Sequence, residues 1–260
     1  MQTSLKTLFF NSFLAFISAF IITTVIHESG HFILYFIFGA HPVLHHNFVQ
    51  TLNPSISSNA LIISGLAGPV ISLVQGIILG TYLIKKPGNS DRYLLLLWLC
   101  LLGFINFFGY LMLTPISKKG DTGKVAEMLG ISSVLQIIIA VIGLLALILI
   151  VIKMGKYFAN FIPANTDKIK KGKYINSMVM FPIMAGNIVN ILLAFPIPVI
   201  LSVIYPATSS YVILTSYGTI LKTESKLTNE SDIDKQVSVF LEIITIITII
   251  LNRLLTMGFG

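Results

Sequence analysis

Residues 8–38, LFFNSFLAFISAFIITTVIHESGHFILYFIF, decide the fold. The run is apolar except for the cluster HESGH at residues 27–31. It is longer than the ~20 residues that a helix needs to cross a bilayer. No small-residue cleavage site precedes the cluster, so the sequence predicts a retained membrane helix and not a signal peptide.

The whole chain has the composition of a membrane protein. Of its 260 residues, 55% are hydrophobic and 10% are charged, and the mean hydropathy is +0.90. An ordinary soluble domain carries about 25% charged residues, so a soluble enzyme is excluded. The single cysteine, Cys100, excludes a disulfide scaffold. Segments of alternating polarity are absent, and we expect an all-α polytopic transmembrane helical bundle.

The basic residues suggest a partner for the loops. The net charge is +7, and nearly all of the seventeen lysines and arginines lie between the apolar runs. Loops at anionic lipid headgroups have this distribution. Because no basic amphipathic face is present, we expect the lipid bilayer as a partner and no nucleic acid.

The apolar runs predict about six spans, with five or seven as alternatives. After the first, the runs lie at about 60–84, 93–113, 131–152, 175–205 and 237–257. The run at 175–205 contains several prolines and is either one kinked span or two. The last run is the weakest span because it contains Glu242 and Arg253.

The segments between the runs divide the chain. Residues 39–59 are too polar and proline-broken for a helix, and they predict a short extended segment at the membrane surface. Residues 153–173 carry six lysines, and we interpret them as a loop between two membrane halves. The result is a core at 1–130, a fourth span with a basic loop at 131–175, and a C-terminal membrane region at 176–260.

Small residues recur every four positions in the second span. They are Ser64, Gly68, Ser72, Gly76 and Gly80, which form a gently winding stripe on one helix face. Small side chains permit close helix packing in membranes, so we expect this stripe to hold the second span against the first near Gly30.

Three polar residues of the later spans have structural interpretations. Asn187 and Asn190 predict hydrogen bonds between helices, each contributing roughly 1 kcal/mol. Glu242 fits either a pairing with a lysine or the wall of a water path, and the sequence favours neither.

The cluster at residues 27–31 carries the chemistry. His27, Glu28 and His31 form the pattern H-E-x-x-H, which places both histidines on one helix face about 6 Å apart along the axis. Two imidazoles can share one Zn²⁺ ion, while Glu28 can take a proton from water and return it to a leaving amine. About 0.002 such patterns are expected by chance from this composition. The sequence therefore predicts a zinc site with peptidase chemistry.

A catalytic zinc ion normally has three protein ligands and one open position. The remaining candidates are His41, His45, His46 and the ten acidic residues. Among the acidic residues, only Asp121 lies beside a span end in a glycine-rich segment, GDTG. The alternative for Asp121 is an ordinary turn aspartate. We expect the three histidines at the surface and not in a second metal site.

These motifs, in this order, resemble the site-2 protease class of intramembrane zinc metalloproteases. HESGH lies in an early transmembrane helix, and the step Ala67-Gly68-Pro69 is similar to the small-Gly-Pro motif of the class. Asn106 and then Pro115 precede the GDTG segment, although their spacing is wider than in the class. The resemblance covers about residues 8–130.

The resemblance implies a role for each residue of the motifs. His27, His31 and Asp121 are implied zinc ligands, Glu28 the general base, and Asn106 a residue that holds the substrate backbone. The segment after the first span is similar to the strand-like insertion that offers an edge to an extended substrate in the class. We therefore expect a zinc metalloendopeptidase that hydrolyses a membrane protein or peptide substrate in or near its membrane-spanning part.

A rival function comes from a different class of protein. A non-proteolytic scaffold for immunity, binding or transport could use the same metal-organised core, but it needs the ligands and not the base. Glu28 therefore favours the enzyme. For either function we expect a multi-pass protein of the cell membrane, in a bacterial branch of the class.

Two arguments disagree on orientation. Six spans place ten lysines and arginines on the N-terminal side and six on the other, and the positive-inside rule then puts the N-terminus in the cytoplasm. HESGH would lie nearer the exterior, whereas the resembled class generally keeps its zinc nearer the cytosol. We favour the charge count.

Overall fold

The computed structural model describes residues 5–53, 55–196, 204, 208–225, 227, 233 and 235–260. Within them, five helical stretches are long and apolar enough to span a membrane. They are Leu5–Ile37, Ser58–Lys85, Asp91–Leu113, Ser133–Phe161 and Lys168–Leu193. The fold class predicted from the sequence, an all-α polytopic bundle, is confirmed.

The elements follow one another with short connections. The helices are α1 (Leu5–Ile37), α2 (Ser58–Lys85), α3 (Asp91–Leu113), α4 (Asp121–Met128), α5 (Ser133–Gly155), α6 (Lys168–Ile175), α7 (Phe181–Leu193), α8 (Tyr217–Lys222) and α9 (Val239–Leu255). Strands β1 (Pro42–Leu44) and β2 (Val49–Thr51) form an antiparallel hairpin between α1 and α2. Two 3-10 helices, at Lys156–Phe161 and Ser209–Ser216, follow α5 and precede α8, and a π-helical turn at Asn176–Met180 joins α6 to α7.

Serine side chains start several of the membrane helices. The hydroxyl oxygens of Ser57, Ser90, Ser132 and Ser238 each accept a hydrogen bond from a backbone N–H in the first turn of α2, α3, α5 and α9. Such a cap typically stabilises a helix by ~1 kcal/mol, because it satisfies a donor that has no partner within the helix. These serines therefore fix where the spans begin.

Helix α3 is the centre of the bundle and packs against α1, α2 and α5. Trp98 of α3 is fully buried between the rings of Phe16 and Phe158, and its indole N–H donates to Ser12 Oγ at 3.0 Å. In contrast, α5 exposes large apolar side chains along its outer face, including Val141 and Leu149. The buried interior and the apolar exterior together are those of a membrane protein.

The stripe of small residues on α2 packs as predicted. A Cβ atom on Gly30 of α1 would lie 2.8 Å from the carbonyl oxygen of Ala67 and 2.9 Å from Cγ2 of Ile71. Further along α2, a Cβ atom on Gly76 would lie 2.9 Å from the ring of Phe104 on α3. Helix α2 therefore lies close to α1 at Ala67 and Ile71, beside the stripe, and close to α3 further along at Gly76 of the stripe.

The hairpin confirms the extended segment predicted at residues 39–59. Its first strand has a second partner, because Leu44 N donates to Phe259 O at 2.7 Å and Phe259 N donates to Leu44 O at 2.9 Å. The final residues of α9 and its extension thus lie beside the hairpin. The outer edge of β1 is paired, while β2 forms the other edge of the sheet.

The prediction of a loop at residues 153–173 is wrong. Helix α5 continues to Gly155, a 3-10 helix covers Lys156–Phe161, and α6 begins at Lys168. Lysine is a good helix former, and its long stem lets the ammonium reach headgroups from a helix that starts deeper. Charge alone therefore did not end these helices.

The C-terminal runs differ from one another. The final run contains α9, whose 17 residues lie at the low end of the length needed for a span. The run predicted at 175–205 is helical through α7, and residues 197–203 and 205 within it lie outside the described residues.

Basic side chains gather at the end of the bundle where α1 begins and α2 ends. Lys171 Nζ donates to Thr223 O at 3.4 Å, and Asn11 Nδ2 donates to Gln236 O at 2.9 Å, so α6 and the segment after α8 both lie at this end. The described basic residues here are Lys6, Lys85, Lys86, Arg92, Lys153, Lys156, Lys168, Lys170, Lys171, Lys173, Lys222 and Lys235. Those at the opposite end are Lys118, Lys119, Lys124 and Arg253.

This distribution corrects the six-span count, which placed Lys222 and Lys235 on the other side. Lys226, which the six-span count also placed on the other side, lies outside the described residues. With Arg253 added, the described basic residues number twelve against four, which strengthens the asymmetry. By the positive-inside rule, we expect the end with Lys6 to face the cytoplasm.

We expect a cysteine at Lys170 to resist an impermeant thiol reagent in intact cells and to react after permeabilisation. The background is Cys100→Ser, because Cys100 is the only native thiol and is buried. A cysteine at Ser55, an exposed residue before α2, should react in intact cells. If the cysteine at Lys170 reacted in intact cells and the cysteine at Ser55 did not, the orientation would be the opposite of the expected one.

Candidate metal centre

Three predicted ligands meet at one point. The Nε2 atoms of His27 and His31 are 3.1 Å apart, and Oδ2 of Asp121 lies 3.0 Å from the first and 3.2 Å from the second. Tetrahedral zinc ligands at about 2.0–2.1 Å from the ion are about 3.3–3.4 Å from one another. The three atoms therefore have nearly the spacing of a shared metal ion. No other group of this kind is found in the part of the chain that the structure describes.

Helix α2 orients both imidazoles. Nδ1 of His31 donates to the carbonyl oxygen of Ser64 at 2.7 Å, and Nδ1 of His27 lies 3.4 Å from Oγ of Ser72. Because the Ser72 hydroxyl donates to the carbonyl oxygen of Gly68, its oxygen accepts from the histidine. With Nδ1 protonated on each ring, both Nε2 lone pairs face the centre, as metal ligation requires.

Gly68 leaves the space that the two rings occupy. A Cβ atom at this position would lie 2.7 Å from Nε2 of His27, and it would overlap Nε2 of His31 even more closely. Gly68 is therefore part of the metal centre, in addition to its place in the packing stripe. No other residue type fits here without moving the rings.

Asp121 is the first residue of α4, which is held against the end of α3. The hydroxyl of Thr122 donates to the carbonyl oxygen of Tyr110 at 2.7 Å, and Thr114 Oγ1 donates to Thr122 Oγ1 at 2.8 Å. Burial raises the pKa of Asp121, but the two histidines beside it, His31 most of all, lower that pKa to well below its usual range. The carboxylate is thus ionised, the form that binds metals.

A cavity of about 210 Å³ adjoins the three ligand atoms. Glu28, only 7% exposed, lines it together with Asn106. The cavity wall also includes Tyr110, whose ring stacks on His27 with centroids 4.8 Å apart. Oδ1 of Asn106 is buried and has no hydrogen-bond partner in the described ranges. Glu28 and Asn106 therefore line one cavity beside the three ligand atoms, as the sequence predicts.

The hairpin forms another part of the cavity wall and is docked on the end of α7. Nε2 of His46 and Nδ2 of Asn47 donate to the carbonyl oxygen of Ala194 at 3.1 and 3.4 Å. Arg253 of α9 donates to the neighbouring carbonyl oxygens of Leu193 and Phe195. These bonds satisfy acceptors that a helix end leaves without partners.

The prediction that three histidines lie at the surface holds for His41, which is exposed, and is wrong for His46. Burial lowers the pKa of His46, so its ring is neutral and donates only through Nε2. His45 is half-buried and stacks on Phe48. No sequence pattern predicts that the segment after the first span folds back onto a helix more than 140 residues later.

The two asparagines of α7 have different surroundings. Asn187 donates to Ser210 Oγ at 2.9 Å and accepts from the same hydroxyl at 3.2 Å, so its predicted interhelical bond is confirmed. For Asn190 the same prediction is wrong, because within the described part of the chain neither polar atom of its amide has a partner, and the side chain lines the cavity. Glu242 is exposed on α9, away from the cavity.

Sequence reasoning missed the roles of Ser64, Ser72 and Asn190. A signal existed for the two serines, since they flank Gly68 by one turn on each side and so share its helix face. No signal in the sequence distinguishes Asn190 from Asn187.

No family model, curated protein or solved structure matches the chain.

Proposed function

We propose that the protein is a zinc-dependent intramembrane endopeptidase that hydrolyses a peptide bond in or near a membrane-spanning substrate. The observation that carries this proposal is the convergence of His27, His31 and Asp121 at 3.0–3.2 Å beside the buried carboxyl group of Glu28. Three protein ligands with one open position are typical of catalytic zinc and not of structural zinc. The resemblance of the motifs to the site-2 protease class supports the same function.

The donor set fits zinc. Two imidazole nitrogens and one carboxylate oxygen are ligands that zinc commonly takes in hydrolases, and both histidines have hydrogen-bonded Nδ1 atoms. A bound zinc ion supplies Lewis acidity, which activates water and polarises the scissile carbonyl group. His27, His31 and Asp121 would hold it.

Glu28 is the proposed general base. It accepts a proton from the attacking water as the carbon–oxygen bond forms, and it passes that proton to the departing amine as the carbon–nitrogen bond breaks. A carboxylate inside a membrane helix costs roughly 2.5–3.5 kcal/mol, and a cost of this size is typical of functional residues. Glu28 forms no ion pair within the described residues, which leaves its oxygens free for this role.

The hairpin offers a place for an extended substrate. In the hairpin, the backbones of His45 and Phe48 are hydrogen-bonded to each other, and so are those of His41 and Leu52. Hydrogen-bonded and non-hydrogen-bonded pairs alternate along an antiparallel ladder, so Val49 belongs to a non-hydrogen-bonded pair. Its backbone N–H and C=O groups therefore point away from β1. No backbone partner for this edge is found within the described residues, and Val49 lines the cavity. A substrate strand added there would have its scissile bond in an extended form, which a helix does not allow.

The proposed setting is the cell membrane of a bacterium. The ligands come from α1 and α4, and the cavity is bordered by α3, α7 and the hairpin. Substrate and water both reach the centre from the end of the bundle that carries few basic residues.

Glu28→Gln tests the proposal. We expect the variant to retain bound zinc and to process membrane peptides in reconstituted vesicles about 100-fold more slowly than the wild type, because the base is absent. Zinc content is measured on the same preparations. Glu127→Gln is the matched control, since Glu127 is exposed and pairs with Lys118 outside the cavity.

If Glu28→Gln and the wild type processed the membrane peptides at equal rates, the proposed peptidase function would be refuted. Zinc in both proteins with hydrolysis in neither, across a panel of single-span peptides, would favour a metal-organised scaffold instead.

A further inference from the structure

We propose that Asn190 is a substrate-binding residue whose carboxamide binds a peptide group of the extended substrate beside the metal centre. This inference rests on the proposed function and adds a residue from the C-terminal membrane region, which the motifs do not reach. It starts from an anomaly of burial. Asn190 is 3% exposed, yet neither Oδ1 nor Nδ2 has a hydrogen-bond partner among the residues that the structure describes.

An unpaired buried amide is unfavourable for the free protein. Leaving a buried polar group without partners typically costs free energy of folding, and few native side chains are left in this state. Asn187, one turn earlier on α7, shows the ordinary solution, a reciprocal pair with Ser210. The unpaired amide of Asn190 therefore needs a partner that arrives from outside the protein.

The position of Asn190 identifies that partner. Its side chain lines the same cavity as Glu28 and the ligand atoms, so whatever it binds lies in the reaction space. A carboxamide offers one acceptor and two donors. It can accept from the N–H and donate to the C=O of an extended peptide, whereas it carries no charge with which to select an ion.

The amide is also held in place from both sides. One turn before it, Gly186 packs against Phe16, where a Cβ atom would overlap the ring. One turn after it, the carbonyl oxygen of Ala194 accepts from His46 and Asn47 of the hairpin. Because the hairpin edge and Asn190 are fixed to the same helix end, a substrate strand on β2 lies within one rigid frame with the amide.

Two metal-binding probes separate the peptide contact from the metal contact. A tripeptidyl hydroxamate carries both a metal-binding group and peptide groups, while acetohydroxamic acid carries only the former. Dissociation constants of both are measured by calorimetry on the zinc-loaded full chain in detergent. In Asn190→Leu we expect the tripeptidyl hydroxamate to bind about 5- to 30-fold more weakly, from the loss of one or two hydrogen bonds. The affinity for acetohydroxamic acid should not change.

The thermal midpoint of unfolding provides an independent readout. Asn190→Leu should leave it unchanged or raise it, because the amide has no partner in the free protein. Asn187→Leu is the matched control and should lower it, since Ser210 then loses its partner.

The failures of the two proposals are distinguishable. Equal changes for both probes, or no change for either, would refute the peptide contact of Asn190 while leaving the metal centre intact. A drop in the midpoint as large as that of Asn187→Leu would show a structural role. Failure of both probes to bind the wild type would refute the proposed hydrolase, and the inference with it.

Discussion

Gly68→Ala is expected to lower metal affinity about 1,000-fold or more, although it adds one methyl group and removes no ligand. The new Cβ atom overlaps the Nε2 atoms of His27 and His31, so both rings must leave the positions from which they reach Asp121. If a zinc-binding free energy of roughly 10–16 kcal/mol is shared among four ligands, each ligand contributes about 3 kcal/mol. Equilibrium competition with a chromogenic chelator measures the affinity.

The matched control lies in the same stripe of small residues on α2. Gly80→Ala meets its nearest neighbour, Sγ of Cys100, at 3.4 Å, which is an ordinary contact. Alanine is also the better helix former by about 1 kcal/mol. We expect this variant to bind metal as the wild type does and to be at least as stable. If Gly68→Ala also kept its metal affinity, the packing of α2 against the histidines would be refuted.

His27→Ala, His31→Ala and Asp121→Ala should each weaken zinc binding about 100- to 1,000-fold and reduce hydrolysis to background. Each substitution removes one of three ligands, at about 3 kcal/mol apiece. Metal content after dialysis and the affinity for zinc are the measurements. Because the three atoms converge, no single variant should be much milder than the other two.

Asp91→Ala is the control for the aspartate. Asp91 lies at the basic end of the bundle, where it accepts a hydrogen bond from Ser238 at 2.5 Å. Its loss should lower stability by about 1 kcal/mol and leave zinc binding unchanged. If Asp121→Ala bound zinc with wild-type affinity, Asp121 would not be the third ligand, and another side chain would have to supply that donor atom.

Local patterns predicted the parts of the site that lie within one helix. His27, Glu28 and His31 are fixed relative to one another by helix geometry, and the GDTG segment predicted a polar turn with Asp121 beside a span end. The structure brings Asp121 to the histidines, as predicted from the order of the motifs. The helical fold followed from the length of the apolar runs, which is a property of composition.

Contacts between distant segments could not be predicted in this way. His46 and Ala194 are far apart in sequence, and no sequence pattern at either position predicts their contact. The difference between Asn187 and Asn190 depends on which side of α7 meets Ser210 and which side meets the cavity. Periodicity gives the faces of a helix, but tertiary packing decides what each face meets.

The pairing of Leu44 with Phe259 means that this part of the sheet is completed only late in the synthesis of the chain. A ribosome adding about 5–20 residues per second reaches residue 259 some 10–40 s after residue 44. During that interval the first strand has an unpaired outer edge, and an unpaired edge is a template for wrong partners. The strand has only three residues, which limits that risk. The candidate ligands at 27, 31 and 121 are all synthesised long before Phe259 pairs with the first strand, so these three side chains can meet before the sheet beside them is closed.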